Sequence, residues 1–415
     1  MNLDFMPSPA PGHPGIFIRD PYRYSDAMLI IPPLLVECLR CFDGRQTELD
    51  LRAMLVRLAN DLEAGEIAGH LIRTLNDAGF LDNAEFERMR SQRRRGFAET
   101  PTRLPAHAGS AYPADPEEAR QVLRQYMDGA APATLAAPHP PAPAHGSLFA
   151  IAAPHVSPAG GWRSYRAAYR MLRPEHRDRT FVILATSHYG EPETFGLTRK
   201  TFVTPLGETP ADTALVDWLA AHGGPAVRME DYCHSFEHTV ELQLIFLQHI
   251  LGPDVRILPV LCGPYARSLY QGGRPEDDPA VRQFLDALAE LRAREGRRLF
   301  WILGVDMAHM GARYGDDFQA HAGRDAMTEV SVRDDQRIAR INAGDAAGFW
   351  DLVRPNHDDL KWCGSSPFYT FLKMASAAGP PRGDLLQYEQ WNIDESSVVS
   401  FAGIAFSDPP RVTLA

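Results

Sequence analysis

The chain has no apolar run of the ~18 residues that a membrane-spanning helix needs. Its first residues, with Asp4 and several prolines, lack the basic and apolar regions of a secretory leader. A cytoplasmic protein with no membrane partner is the expectation. Cysteine is scarce: five in 415 residues, an odd number, without the paired CxxC spacing of a structural zinc site or the density of a disulfide framework. The lone CxxC, Cys38 to Cys41, falls inside an amphipathic helical pattern and reads as core. Positive charge is also short, for the formal net charge is −11, which argues against a nucleic-acid partner. No GxGxxG follows a strand and no Walker motif is present, so nucleotide binding has no support.

What the chain does have is a repeated grammar. Leu148–Ala153, Phe181–Thr186 and Phe300–Gly304 are short apolar runs with the content of strands buried on both faces, and each is followed within a few residues by a histidine: His155, His188 and His309. In an open α/β sheet, ligands collect outside the carboxyl ends of the strands. Three imidazoles delivered to one such edge point to a shared site, and imidazole is the commonest side-chain ligand for transition metals.

Length predicts more than one domain. Residues 1–95 read as a separate module. Ile16–Arg19 and Ala27–Ile31 form a hairpin pair, followed by helices over 34–42, from Thr47 onward with a Thr47/Asp50 capping box, and around Ile67–Leu75, before Gly79 stops the last. A small strand pair and three helices make a winged-helix-like arrangement. A linker at 96–107, basic residues Arg90 to Arg95 just before it, separates this module from a second domain over 108–415. There, a low-complexity proline-rich loop at 130–146 precedes strands alternating with helices. That alternation predicts a three-layer α/β/α domain with a helix starting at Ser235, a hairpin over 195–203 and closing strands over 385–388 and 398–406.

In the order they occur, His155 after Ala153-Pro154, Ser187-His188, Glu237-His238 with Glu241, Asp306 to His309 and Trp362-Cys363-Gly364 resemble the Memo family. This is the B component of the AmmeMemoRadiSam system, related in fold to the class III extradiol ring-cleaving dioxygenases. His107-Ala108-Gly109-Ser110-Ala111-Tyr112 is similar to the family's opening motif, and the resemblance covers roughly 105–407. It implies His155, His188 and Cys363 as metal ligands and His309 as an acid/base residue beside the metal. Val156-Ser157-Pro158 and Tyr189 depart from the family pattern, and the ring-cleaving relatives use a glutamate where Cys363 stands. The order of the first module, with Cys41–Arg52 and Leu75–Leu81, resembles the PqqD-like peptide-recognition family. That resemblance implies a precursor peptide added at the sheet edge; docking of a partner protein, dimerisation and DNA binding are the other uses of such a module.

Two imidazoles and one anionic ligand, with positions left open, suit iron(II), while a thiolate makes copper or zinc acceptable as well. Asp306 is expected to orient a ring nitrogen of His309, and Glu237, His238 and Glu241 are candidates for pocket lining, with first-turn capping as the plainer role. His234, His249, His321 and His357 are expected in structural or solvent roles. Two functions follow: a non-haem metal-dependent oxidoreductase or dioxygenase-like enzyme, acting on a peptide presented by the first module, and a metal-binding scaffold with a redox-active or vestigial site.

Overall fold

In the computed structural model, residues 3–59, 64–128 and 146–408 are described. The expected loop at 130–146 lies outside them except for Gly146. The chain divides into two compact units, Met1–Glu99 and Thr100–Ala415.

The first unit holds strands β1 (Asp4–Pro7), β2 (Ile16–Arg19) and β3 (Met28–Ile31) in an antiparallel sheet of that order. The hairpin β2–β3 follows the expectation. β1 went unread because Asp4-Phe5-Met6-Pro7 is short, ends in proline and keeps most of its side chains in solvent. Helix α1 (Pro33–Val36) passes directly into a 3-10 stretch over Glu37–Phe42. Helices α2 (Glu48–Ala59), α3 (Ala64–Asp77) and α4 (Ala84–Glu99) follow. The capping box at the start of α2 is reciprocal: Thr47 N–H donates to Asp50 Oδ2 at 2.8 Å and Asp50 N–H to Thr47 Oγ1 at 3.3 Å. Ile18, Ile31, Cys38, Leu51, Leu55, Leu71 and Leu75 close a core of their own, so the CxxC is packing. The basic run sits on α4, where Arg90 and Arg93 pair with Glu87 and Asp26.

The residues expected to link the units are structured. Gly96–Glu99 finish α4, and β4 (Thr102–Arg103) belongs to the second unit. After α5 (Pro116–Asp128) come β5 (Leu148–Ala153), α6 (Pro158–Tyr169) and β6 (Thr180–Thr186). Then β7 (Phe195–Leu197), β8 (Thr201–Thr204), β9 (Gly207–Thr209), α7 (Thr213–His222) and β10 (Val227–Met229) lead to α8 (Thr239–Leu251). β11 (Arg256–Cys262), α9 (Ala266–Gln271), α10 (Pro279–Glu295), β12 (Leu299–Gly304) and β13 (His309–Gly311) follow. The chain closes with α11 (Ala326–Asn342), α12 (Ala346–Val353), α13 (Ser365–Ser376), β14 (Arg382–Asp394) and β15 (Ser397–Ser407).

Nine strands form one mixed sheet in the order β10-β7-β11-β6-β12-β5-β15-β13, with β14 on β15. Its centre, β11-β6-β12-β5, is parallel. Every residue of β5, β6 and β12 is buried, as strands covered on both faces must be, and this is why they read as unbroken apolar runs. Two expectations shift. The hairpin is β8–β9, turning at Pro205-Leu206, because Phe195–Leu197 are buried and pair with β11 instead. The helix expected from Ser235 starts at Thr239, since Tyr232–Ser235 form a 3-10 turn first. That delay places Glu237 and His238 outside the helix. Among the described residues no helix is long and apolar enough to cross a membrane.

Candidate metal centre

The parallel strands deliver their histidines to one place. His155 lies two residues beyond β5 and His188 two beyond β6, so the registered strands bring both to the carboxyl edge of the sheet. His238, at the N-cap of α8, joins them. The three rings sit 5.0–5.3 Å apart by centroid, and each offers a ligand atom within 4.8 Å of the other two. Cys363, on the turn entering α13, places its Sγ 3.3 Å from His155 Nε2. His155, His188 and Cys363 therefore converge, and His238, expected only as lining, stands among the imidazoles.

The hydrogen bonds set which nitrogen faces the centre. His155 Nδ1 donates to the Gly304 carbonyl at 3.0 Å, leaving Nε2 with its lone pair toward the cluster. Glu237 serves two rings at once. Its carboxylate lies 3.1 Å from His188 Nδ1 and 3.0 Å from His238 Nδ1, and it accepts the backbone N–H of both residues at 2.8 and 2.9 Å. A carboxylate behind the ligand imidazole fixes its orientation and raises its basicity. Glu237 is thus not a lining residue but the support of two candidate ligands.

Electrostatics follow from these contacts. Burial alone would depress His188, but the Glu237 carboxylate, with Cys363 also contributing, holds it well above the usual histidine range. Burial would raise Glu237, and His188 and His238 instead hold it well below the usual carboxylate value. His155 has no carboxylate of comparable effect; burial, then the charges of His188 and His238, push it well down. For Cys363, burial pushes the thiol up and His188 only partly opposes it.

Asp306 corrects another expectation. Its Oδ1 accepts the His155 backbone N–H at 2.9 Å and its Oδ2 lies 3.5 Å from His155 Nε2, whereas His309 Nδ1 is held by the carbonyls of Met307 and Lys361 at 2.9 and 3.1 Å. The carboxylate is engaged by the His155 backbone, and carbonyls from two separate segments occupy His309 Nδ1 instead. Burial raises Asp306 to about 7. Burial also lowers His309 to about 4, and the charge of His188 works in the same direction. The His309 ring meets Tyr314 edge-on at 5.0 Å, a neighbour with no signal in the sequence.

Glu241 does not line the site. Fully buried, it pairs with Arg103 and accepts from the N–H groups of Ala106 and His107 at 3.0 Å each and from Tyr112 OH at 2.5 Å. It binds the opening His107–Tyr112 segment to α8, and the His107 ring in turn reaches His238 at 5.5 Å. His234, expected to be structural, is buried with Nε2 on the Gly196 carbonyl.

The donor set fits a transition metal: three imidazoles with second nitrogens committed elsewhere, and a thiol at contact distance. A MEMO1 family protein of Aquifex aeolicus is 24% identical over 390 residues, covering 94% of this chain and 95% of its own. Another from Thermococcus kodakarensis is 28% identical over 316 residues, covering 73% of this chain and 99% of its own. The Aquifex alignment is long enough to run well into the Met1–Glu99 unit. An uncharacterised Escherichia coli protein of solved structure aligns with a TM-score of 0.41 at 11% identity, over 62% of this chain and 99% of its own, too distant to carry functional weight. The family model described as Memo-like protein matches residues 103–405, which span every residue of the centre, and the chain belongs to that family.

Proposed function

We propose that this is a non-haem metal-dependent oxidoreductase with a dioxygenase-like second domain, and that its centre is held by His155, His188 and Cys363 with His238 beside them. The observation that carries the reading is the cluster itself: three imidazole ligand atoms within 4.8 Å of one another and the Cys363 sulfur 3.3 Å from one of them. Iron(II) is the favoured ion, with copper or zinc suited to the thiolate; when bound it supplies open coordination positions for a substrate and dioxygen. Glu237 orients two of the rings. His309, kept neutral by burial and with Nδ1 engaged by carbonyls, has Nε2 left to take a proton from a bound substrate. Asp306 holds the backbone of His155.

For the first unit we propose peptide recognition on a winged-helix-like frame of the PqqD type. β3 is an outer strand of its sheet, so among the described residues Met28–Ile31 present edge amides to which an extended peptide can add, and Met28 is exposed beside them.

Metal analysis of protein purified without oxygen tests the first proposal. Near-stoichiometric iron in the wild type, lost on His188→Ala and on Cys363→Ala but retained in His309→Ala, is the expected pattern. Full metal in Cys363→Ala overturns the thiolate ligand and makes His238 the third donor. Metal-free wild type that also binds none on reconstitution overturns the metal-enzyme reading.

A further inference from the structure

His155 and His188 follow directly from parallel strands at the centre of the sheet, whereas His309 opens the short edge strand β13 and Cys363 arrives on an irregular segment. The approach to Cys363 is unusual: Asn356, His357, Asp358 and Lys361 all have φ between +53° and +57°. Non-glycine residues persist in that conformation only where surrounding contacts over-determine it. Tyr270 meets the His357 ring and Asp316 holds Lys361, while the contacts nearest the thiol come from one face of α11.

Trp362, the residue before the thiol, is held at both of its N–H groups. The indole Nε1 donates to Asp334 Oδ1 at 2.8 Å, and the backbone N–H to Asp358 Oδ2 at 3.0 Å. Arg337, one turn along α11 from Asp334, donates to Asp358 Oδ1 at 2.8 Å and lies over the Trp362 ring at 5.2 Å. The other side of the Asp334 carboxylate accepts from Ser400 Oγ at 2.6 Å and Tyr388 OH at 2.7 Å. Ser400 in turn ties down the His309 turn. Its Oγ and carbonyl accept from the N–H groups of Ala308 and Met307, and its own N–H donates to the Ala308 carbonyl, all at 2.8–2.9 Å. One fully buried carboxylate therefore connects the segment carrying the thiol with the segment carrying the acid/base histidine.

We infer that Asp334 is a positioning residue, fixing Cys363 relative to His309 through Trp362 on one side and Ser400 on the other. Burying a carboxylate where an apolar side chain would pack costs stability, and here the carboxylate supplies what an apolar group cannot: acceptors for donors from three separate segments. The value of this placement to catalysis rests on the metal-centre reading, but the placement of the thiol does not.

The test uses the full chain. Cys363 is the one partly exposed cysteine, the other four being buried, so alkylation of metal-free protein by iodoacetamide, mapped by mass spectrometry, reads its segment directly. Asp334→Ala should label at Cys363 about tenfold faster, the size of effect expected when a buried hydrogen bond that holds a segment closed is lost. Cys262 should remain unlabelled. Asp334→Asn should stay near the wild-type rate, because the amide oxygen still accepts the indole N–H while the hydroxyls turn to accept from the amide. If Asp334→Ala fails to fold, Trp362→Phe removes the same indole hydrogen bond while keeping an aromatic ring at the position, and should give the same acceleration. Unchanged Cys363 labelling in a folded variant, or labelling that rises equally at Cys262, overturns the inference. With cobalt(II) loaded, the thiolate absorption should weaken in Asp334→Ala and recover in Asp334→Asn. Wild type lacking any Cys363-dependent absorption would refute the thiolate ligand, and the labelling rates would still decide the role of Asp334.

Discussion

Strand β6 has a histidine near each end, His176 four residues before it and His188 two residues after. Both are buried or largely so, yet they are driven in opposite directions. His176 closes a 3-10 turn, accepts the Arg173 N–H on Nδ1 at 3.0 Å and rests against the Phe300 ring at 5.0 Å. Burial, reinforced by the nearby Arg179, lowers it to about 4. His188 meets the same burial, and Glu237 reverses the outcome. A buried imidazole is neutral by default, and a buried carboxylate partner is what makes it a charged or strongly basic group. At the carboxyl end of β6 the buried carboxylate of Glu237 is what sets His188 apart from His176.

Removing Arg103 is the harshest way to break the contrast. Arg103 and Glu241 are both nearly inaccessible, and Arg103→Ala leaves the Glu241 charge without its cation. The expected cost is about 3–5 kcal/mol, read as a lower midpoint in urea denaturation. A loss below about 1 kcal/mol would mean that the Ala106, His107 and Tyr112 donors suffice to hold the carboxylate. Glu237→Gln is milder on the fold and more telling about the centre. A neutral amide cannot accept from both His188 and His238 in the way the carboxylate does, so metal affinity should fall about 10- to 100-fold in a chelator competition. Unchanged affinity would show that the rings are oriented without Glu237.

His155 and His188 were legible in the sequence because a strand buried on both faces leaves an unmistakable apolar run, and the sheet fixes where its carboxyl end lies. His238 was legible only as a neighbour. Helical periodicity through Ser235–Leu247 hid the 3-10 turn that takes Glu237 and His238 out of the helix. The role of Asp306 does not follow from its place in the chain, because three residues' separation from His309 does not bring its carboxylate to that ring. Asp334 and Ser400 had no signal at all, since a lone aspartate on an amphipathic helix and a serine in an apolar strand are ordinary until the fold brings them to the same tryptophan loop and histidine turn. The second domain's alternation of strand and helix was readable, whereas β1 and the β8–β9 hairpin, decided by edge pairing and burial, were not.

The smallest effect belongs to the quiet end of β6. An imidazole with a folded value near 4 and an unfolded value near ~6.5 binds fewer protons in the native state than in the unfolded state between those limits. Its contribution to stability is therefore complete above pH 6.5 and drains away as the pH falls toward 4, where the unfolded chain has taken up a proton that the native chain resists. At pH 5 the loss is on the order of 1–2 kcal/mol. Wild type should lose stability more steeply than His176→Gln across this window, with the two curves parallel above pH 7, when unfolding is followed by urea titration at each pH. Parallel curves throughout would mean that His176 titrates in the native state as it does in the unfolded chain, and burial without a carboxylate would no longer account for the difference between the two ends of the strand.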